Sequence, residues 1–220
     1  MRSYPGFQVP RLAIIRILAK VWVAAWLAVS FAAAAAQSVG TAPATPAPAG
    51  AGTLSALRAG GYILYFRHTA TDFGQNDEKM TGYEDCATQR NLTDGGRADA
   101  RAIGAAIRSL GIPIGDVLAS PNCRTRETAE LIFGRYTVAP AVRGGPASAE
   151  AGRYAELTLL FARRPPSGVN LAIASHGNPF VAVAGGPYLA EGEAAVIEPL
   201  GDSRFRIAAR IRKDDWSALK

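Results

Sequence analysis

The chain contains only two histidines, and each one follows an apolar segment of the length of a β-strand. Arg67 and His68 come directly after the first of these segments, and His176 comes after the second. A third polar segment, Ser120 to Arg126, contains two more arginines. Guanidinium groups bind oxyanions bidentately, and a neutral imidazole beside them can act as a nucleophile. These residue types therefore favour a site that handles an anion such as a phosphoryl group.

The elements that must position these residues alternate between strand and helix patterns. Short, mostly apolar runs predict buried strands at Tyr62 to Phe66, Asp116 to Ala119 and Val169 to Ala174. Helical spacing and capping residues predict helices at Thr53 to Ala59, Thr93 to Leu110, Arg124 to Phe133 and Ala147 to Arg163. Two later strands, Ala194 to Glu198 and Arg204 to Ile211, are predicted around a turn at Leu200 to Asp202. The alternation favours an α/β domain with a mainly parallel sheet.

In such a sheet, ligands bind where the loops leave the carboxyl ends of the strands. We therefore expect the two histidines to meet Arg67 and either Arg124 or Arg126 at one rim. A cluster of cations repels itself unless an anion fills it, and the predicted helix that begins near Arg124 adds free backbone N–H groups. A phosphoryl group is the simplest occupant, and this chemistry needs no metal and no cofactor.

Three segments resemble the signatures of a known family. Phe66 to Asp72, Ser120 to Ala129 and Ala174 to Asn178 are similar to the three motifs of the histidine phosphatase superfamily. The resemblance spans roughly Gly61 to Asn178, with the motifs in the family's order. It implies the phosphoglycerate-mutase-like fold, a three-layer sandwich with a mainly parallel central sheet flanked by helices.

The resemblance also implies roles for individual residues. His68 matches the nucleophile that becomes a phosphohistidine, and Arg67, Arg124 and His176 match the pocket for the transferring group. Arg126 is offset from the family position, so we expect it to lie on the surface or in a salt bridge.

Two positions depart from the family pattern. Thr69 stands where the family usually has glycine, and its hydroxyl either contacts the phosphate or is merely tolerated. Asn178 lies near the position where the acid-phosphatase branch carries an aspartate, after an intervening glycine. We include both residues among the expected substrate contacts.

The general acid is the least certain of the expected residues. The mutase-like branch takes a glutamate from the segment between the second and third motifs, which here offers only Glu150 and Glu156. Asp72, Glu191 and Glu193 are the other candidates, and Asp72 is closest in sequence to the nucleophile. The alternatives are that Asp72 only caps a loop and that water protonates the leaving group.

The N-terminal region has the pattern of an export signal. Residues 1–36 combine basic residues with an apolar run that ends in small residues, which predicts a signal peptide. Residues 37–52 form an Ala/Pro/Gly-rich linker, and residues 53–220 form the phosphatase-like domain. An uncleaved membrane anchor is the alternative. Removing the leader lowers the net charge from +6 to about +2, so the composition does not support nucleic-acid binding.

The two cysteines, Cys86 and Cys123, are expected to form a disulfide if the protein is exported, with free buried thiols as the alternative. The bridge would tie the long loop from Thr69 to Asn91 to the segment that carries Arg124. Our hypothesis is that it orders a lid over the site.

The sequence thus predicts a periplasmic or secreted phosphatase that hydrolyses a phosphomonoester through a phosphohistidine. Its expected partner is a phosphorylated small molecule, without nucleic acid, and with a membrane only if the leader stays attached. The alternative is a non-catalytic phosphate-binding or interaction protein with the same fold. A serine hydrolase has little support, because no GxSxG motif is present.

Overall fold

The computed structural model describes residues 49–145 and 151–219 of the 220-residue chain. The predicted signal peptide and most of the predicted linker lie outside the described residues, as does Glu150. Within the described ranges, no helix is long and apolar enough to cross a membrane.

The chain alternates between helices and strands over most of the described length. The α-helices are α1 (Ala51–Ala59), α2 (Asp94–Ser109), α3 (Cys123–Phe133), α4 (Ala155–Ala162) and α5 (Gly177–Ala184). The strands are β1 (Ile63–Arg67), β2 (Ile114–Ala119), β3 (Thr137–Val138), β4 (Asn170–Ser175), β5 (Ala194–Gly201) and β6 (Arg204–Ile211). Short 3-10 helices occupy Cys86–Thr88, Pro140–Val142 and Trp216–Ala218.

The six strands form one sheet in the order β3-β2-β4-β1-β5-β6. Strands β3, β2, β4 and β1 are parallel, whereas β5 and β6 form an antiparallel hairpin at the β1 edge. The strands that precede the three motifs, β1, β2 and β4, are therefore neighbours, and their carboxyl ends share one edge. This arrangement confirms the predicted α/β fold and the predicted hairpin.

Helices cover both faces of the sheet, because alternate side chains of a strand point to opposite faces. On β1, Leu64 and Phe66 belong to a core cluster with residues of α1 and α2, and Phe66 stacks on Trp216 with ring centroids 5.7 Å apart. Ile63 and Tyr65 belong to a second cluster with residues of α4 and α5. Two cores separated by one sheet make the predicted three-layer sandwich.

Several predicted boundaries were wrong. The helix predicted from Ala147 to Arg163 is helical only at α4, and residues 151–154 form a turn in which Gly152 has a left-handed φ of 71°. The first helix begins at Ala51, so it takes in the last two residues of the predicted linker. β5 extends to Gly201, and the hairpin turn lies at Asp202 and Ser203, which both have positive φ angles.

Two elements at the motif edge of the sheet were not predicted. Strand β3 has only two residues, which is too short to show a periodic pattern. Helix α5 begins with a glycine and has Pro179 in its first turn, where proline costs a helix little.

Candidate active site

His68 follows the last residue of β1 and is almost completely buried, at 2% exposure. Its backbone amide donates to the Ser175 carbonyl at 2.9 Å, which continues the pairing of β1 with β4. Its side-chain Nδ1 lies 2.9 Å from the carbonyl oxygen of Thr69. A carbonyl oxygen can only accept, so Nδ1 carries the proton of the neutral ring and Nε2 keeps a free lone pair.

The neutral form of His68 is strongly favoured. Burial and the charges of three nearby arginines lower the pKa of His68 to about 3, although the bond to the Thr69 carbonyl acts in the opposite direction. Because this pKa lies far below neutrality, the imidazole is a neutral nucleophile at physiological pH.

Three guanidinium groups lie close enough to act on this histidine, from Arg67, Arg90 and Arg124. The Nε group of each arginine is buried and has no hydrogen-bond partner within the described part of the chain. A buried donor without a partner is costly, and a site that binds an oxyanion is a common reason for one. The pocket therefore presents three N–H donors beside a neutral nucleophile.

Other atoms of these arginines are anchored by the protein. Arg67 Nη1 donates to the Leu189 carbonyl at 2.9 Å, and both Nη groups of Arg124 bond the Asp77 carboxylate at 3.0 and 2.9 Å. Although burial alone would raise it, hydrogen bonds from Arg124 and from the Arg90 amide lower the pKa of Asp77. Asp77 therefore stays ionised and orients Arg124.

Arg90 and Asp77 were missed by the sequence reasoning. Both lie in the long loop between β1 and α2, which has no periodic pattern that could place them. The available clue was that Arg90 is the only arginine between Thr69 and Asn91. Its guanidinium lies over the exposed ring of Phe73, 5.0 Å from the ring centroid.

His176 follows β4 and caps the N-terminus of α5. Its ring centroid lies 5.6 Å from that of His68, and its Nε2 lies 2.8 Å from the Ser120 hydroxyl. When Ser120 donates this bond, Nδ1 of His176 carries the proton and can donate to an oxyanion. Burial lowers the pKa of His176 well below its usual value, and the Arg124 charge acts in the same direction.

The structure determines how tightly His176 is packed. A side chain at Gly144 would place its Cβ 2.9 Å from Cδ2 of His176, so only glycine lets the chain pass this closely. The side chain of His176 is consequently fixed by the loop after Pro140–Val142 on one side and by Ser120 on another.

The two other expected substrate contacts have their polar groups engaged within the protein. The Thr69 hydroxyl is fully buried and lies 3.4 Å from that of Thr128, which in turn bonds the Arg124 carbonyl. The Asn178 amide donates to the Gly145 carbonyl and to the Tyr154 hydroxyl. Contact of either residue with substrate stays a prediction.

The candidate acids have different surroundings. Asp72 is partly exposed, and its Oδ1 accepts a 2.8 Å bond from the Gly74 amide, as in a loop cap. Glu193 is buried against Arg210 at 2.7 Å. Glu156 lines a separate surface cavity with residues of α4. The role of Asp72 as general acid stays a prediction.

Glu191 is the candidate acid that reaches the nucleophile. Its Oε1 lies 3.9 Å from Nδ1 of His68 and accepts a 2.7 Å bond from the Thr71 hydroxyl. The same oxygen lies 3.5 Å from Nη2 of Arg67. Glu191 therefore contacts the nitrogen of His68 that is already protonated.

The predicted disulfide is present between Cys86 and Cys123. It joins the long loop to the first residue of α3, directly before Arg124. The Cys123 amide also donates to the Gln89 side chain at 3.0 Å. Arg126 pairs with Glu84 at 2.8 Å, so its predicted place in a salt bridge is confirmed.

Solved structures with similar folds include several phosphatases. The chain is 17% identical to the protein histidine phosphatase SixA complexed with tungstate, with 69% of this chain and 97% of that chain covered and a TM-score of 0.48. The corresponding values are 20%, 69%, 99% and 0.43 for TTHB049 from Thermus thermophilus. They are 11%, 70%, 98% and 0.46 for a phosphoserine phosphatase mutant from Entamoeba histolytica bound to phosphoserine.

No curated protein matches the chain. A family model, however, matches residues 63–179, which is more than half of the sequence and includes all three motifs. The chain belongs to the histidine phosphatase superfamily, branch 1.

Proposed function

We propose that the protein is a phosphomonoesterase that works by double displacement on His68. The observation that carries this proposal is the state of the His68 ring. Its Nδ1 is committed as a donor to the Thr69 carbonyl, so its lone pair is at Nε2, beside three unpartnered guanidinium Nε groups. This combination supports a nucleophile set against a bound phosphoryl group.

In the first step, Nε2 of His68 attacks phosphorus and the bond from phosphorus to the ester oxygen breaks. The arginine Nε groups bind the non-bridging oxygens and stabilise the charge that develops on them in the transition state. The leaving alkoxide takes a proton, for which Asp72 is our candidate donor. Asp72 must then release the Gly74 amide when substrate binds, because its Oδ1 accepts that bond here.

In the second step, water attacks the phosphohistidine and releases inorganic phosphate. The electron pair of the P–N bond returns to Nε2, and the proton lost by water is taken up by solvent or by the product. His68 is restored as a neutral ring with its proton on Nδ1. The cycle needs no metal ion and no cofactor.

We also propose that the protein acts on a phosphorylated small molecule in the periplasm or outside the cell. The Cys86–Cys123 bond supports this location, because disulfides persist mainly in oxidising compartments. The export pattern in residues 1–36 agrees with it. Two exposed aromatic rings, Phe73 and Tyr188, lie over the pocket arginines Arg90 and Arg67 and are available to contact the organic part of a substrate.

The test is hydrolysis of p-nitrophenyl phosphate by the purified protein, beside the variant His68→Ala. We expect turnover and a covalent phosphohistidine, trapped by rapid quenching into alkali, in the unaltered protein only. Thermal unfolding of both proteins controls for loss of fold. If the unaltered protein neither hydrolyses the ester nor forms phosphohistidine, yet binds inorganic phosphate by calorimetry, the alternative of a non-catalytic phosphate-binding protein replaces this proposal.

A further inference from the structure

A carboxylate lies behind the nucleophile rather than in front of it. The Glu191 side chain is 18% exposed, and its Oε1 is 3.9 Å from Nδ1 of His68. It is held there by the Thr71 hydroxyl at 2.7 Å and by the Thr71 amide at 3.4 Å. Phosphorus bonds to the other ring nitrogen, so Glu191 does not face the leaving group. A role as proton donor to that group does not fit this position.

The proton on Nδ1 matters most once the ring is phosphorylated. With phosphorus on Nε2 and a proton on Nδ1, the ring of His68 carries a positive charge. When water attacks phosphorus, such a ring departs as neutral imidazole. If Nδ1 has lost its proton, the ring must depart as imidazolate, which is a much poorer leaving group. The hydrolysis step therefore depends on keeping this proton.

The surroundings of the ring mostly oppose that positive charge. Arg67, Arg90 and Arg124 all act on His68 as like charges. His176 is neutral, and Asp77 is committed to Arg124. The groups that favour the Nδ1 proton are the Thr69 carbonyl, which accepts it, and the carboxylate of Glu191.

We propose that Glu191 is a positioning residue that keeps the Nδ1 proton on phosphorylated His68, so that dephosphorylation continues into the alkaline range. This inference rests on the proposed function. Formation of the phosphohistidine depends less on Glu191, because the ring of His68 starts that step neutral and already protonated on Nδ1. The two steps should consequently respond differently to loss of the carboxylate.

The test uses Glu191→Gln in the full chain, with p-nitrophenyl phosphate and rapid-quench measurement of phosphohistidine from about pH 6 to about pH 9. Glutamine keeps an acceptor for Thr71 but removes the charge. We expect the alkaline fall in the dephosphorylation rate to move down by about one to two pH units, since a charge at this distance shifts a pKa by that much. Phosphohistidine should accumulate in the variant at alkaline pH.

Two further variants make the result specific. Glu127→Gln also removes a carboxylate bonded to an arginine, Arg97 at 2.6 Å, and should leave the profile unchanged. Glu191→Asp keeps the charge but withdraws it from the ring, and should give a smaller shift than Glu191→Gln. The aspartate variant also serves if the glutamine variant fails to fold.

The outcomes separate the two proposals. Identical alkaline profiles for the unaltered protein and Glu191→Gln would overturn the inference about Glu191 and leave the proposed function standing. An equal shift in Glu127→Gln would do the same, because it would show a general effect of charge. If the unaltered protein forms no phosphohistidine, the proposed function fails and this inference fails with it.

Discussion

The two halves of the site are held in place by different means. One half, with Arg67, His68 and His176, is attached to the ends of β1 and β4, where paired strands fix the backbone. The other half, with Arg90 and Asp77, belongs to the long loop after β1. That loop is tied to α3 by the disulfide and by the ion pair of Asp77 with Arg124. The nucleophile is thus positioned by the sheet, whereas part of the anion pocket depends on a covalent link.

The largest expected effect comes from the strand-borne arginine. Arg67→Ala should lower kcat/KM for p-nitrophenyl phosphate by about 10³-fold, because a donor preorganised for the transferring phosphoryl group is lost. Arg90→Ala should cost less, about 10-fold to 10²-fold, since the Arg90 side chain is held mainly by its contact with exposed Phe73. Steady-state kinetics decide this order. Equal losses would show that the loop arginine is as well organised as the strand arginine.

The second effect concerns the disulfide. Replacing Cys86 and Cys123 together by serine opens a loop closed over a sequence separation of 37 and should lower the free energy of unfolding by about 3–4 kcal/mol. KM should rise, because Arg90 and Arg124 lose their relative position. Urea unfolding and steady-state kinetics measure the two effects.

A double-mutant cycle tests whether the link acts through the loop. Combined with Arg90→Ala, the serine pair should cost less activity than the sum of the separate changes, while its combination with Arg67→Ala should be additive. Additivity in both cases would contradict the division of the site into two halves.

The third effect is a dependence of stability on pH that arises in the strand-borne half. The folded pKa of His68, about 3, lies below the ordinary value of 6.5 expected for the unfolded chain. Between these values the unfolded chain binds more protons, so stability from this group is complete above 6.5 and is lost as pH falls toward 3. At about pH 4.5 the loss should be about 2–3 kcal/mol relative to neutral pH.

The measurement is urea unfolding of the unaltered protein and of His68→Gln at about pH 4.5 and at about pH 7. The variant should lose less stability on acidification than the unaltered protein does. An equal loss in both would mean that His68 is not buried in its neutral form.

Sequence reasoning placed the strand-borne half well and the loop-borne half poorly. Apolar runs followed by Arg67, by Ser120 and by His176 were sufficient to predict that these residues meet at one sheet edge. No such regularity marks the positions of Asp77 or Arg90, whose places depend on contacts with residues far along the chain. Helix α4 was overestimated for a similar reason, since Gly152 interrupts a segment whose composition is otherwise compatible with a helix.

The sequence by itself determined the fold class, the nucleophile and the disulfide. Strand and helix periodicity is local, the motifs are contiguous, and two cysteines allow a single pairing within one chain. Only the tertiary structure decided that Nε2 of His68 carries the lone pair, that Arg90 joins the pocket and that Glu191 lies behind the ring. These features depend on hydrogen bonds and on distances between side chains from separate segments, which are set when the sheet, the loop and the C-terminal hairpin pack together.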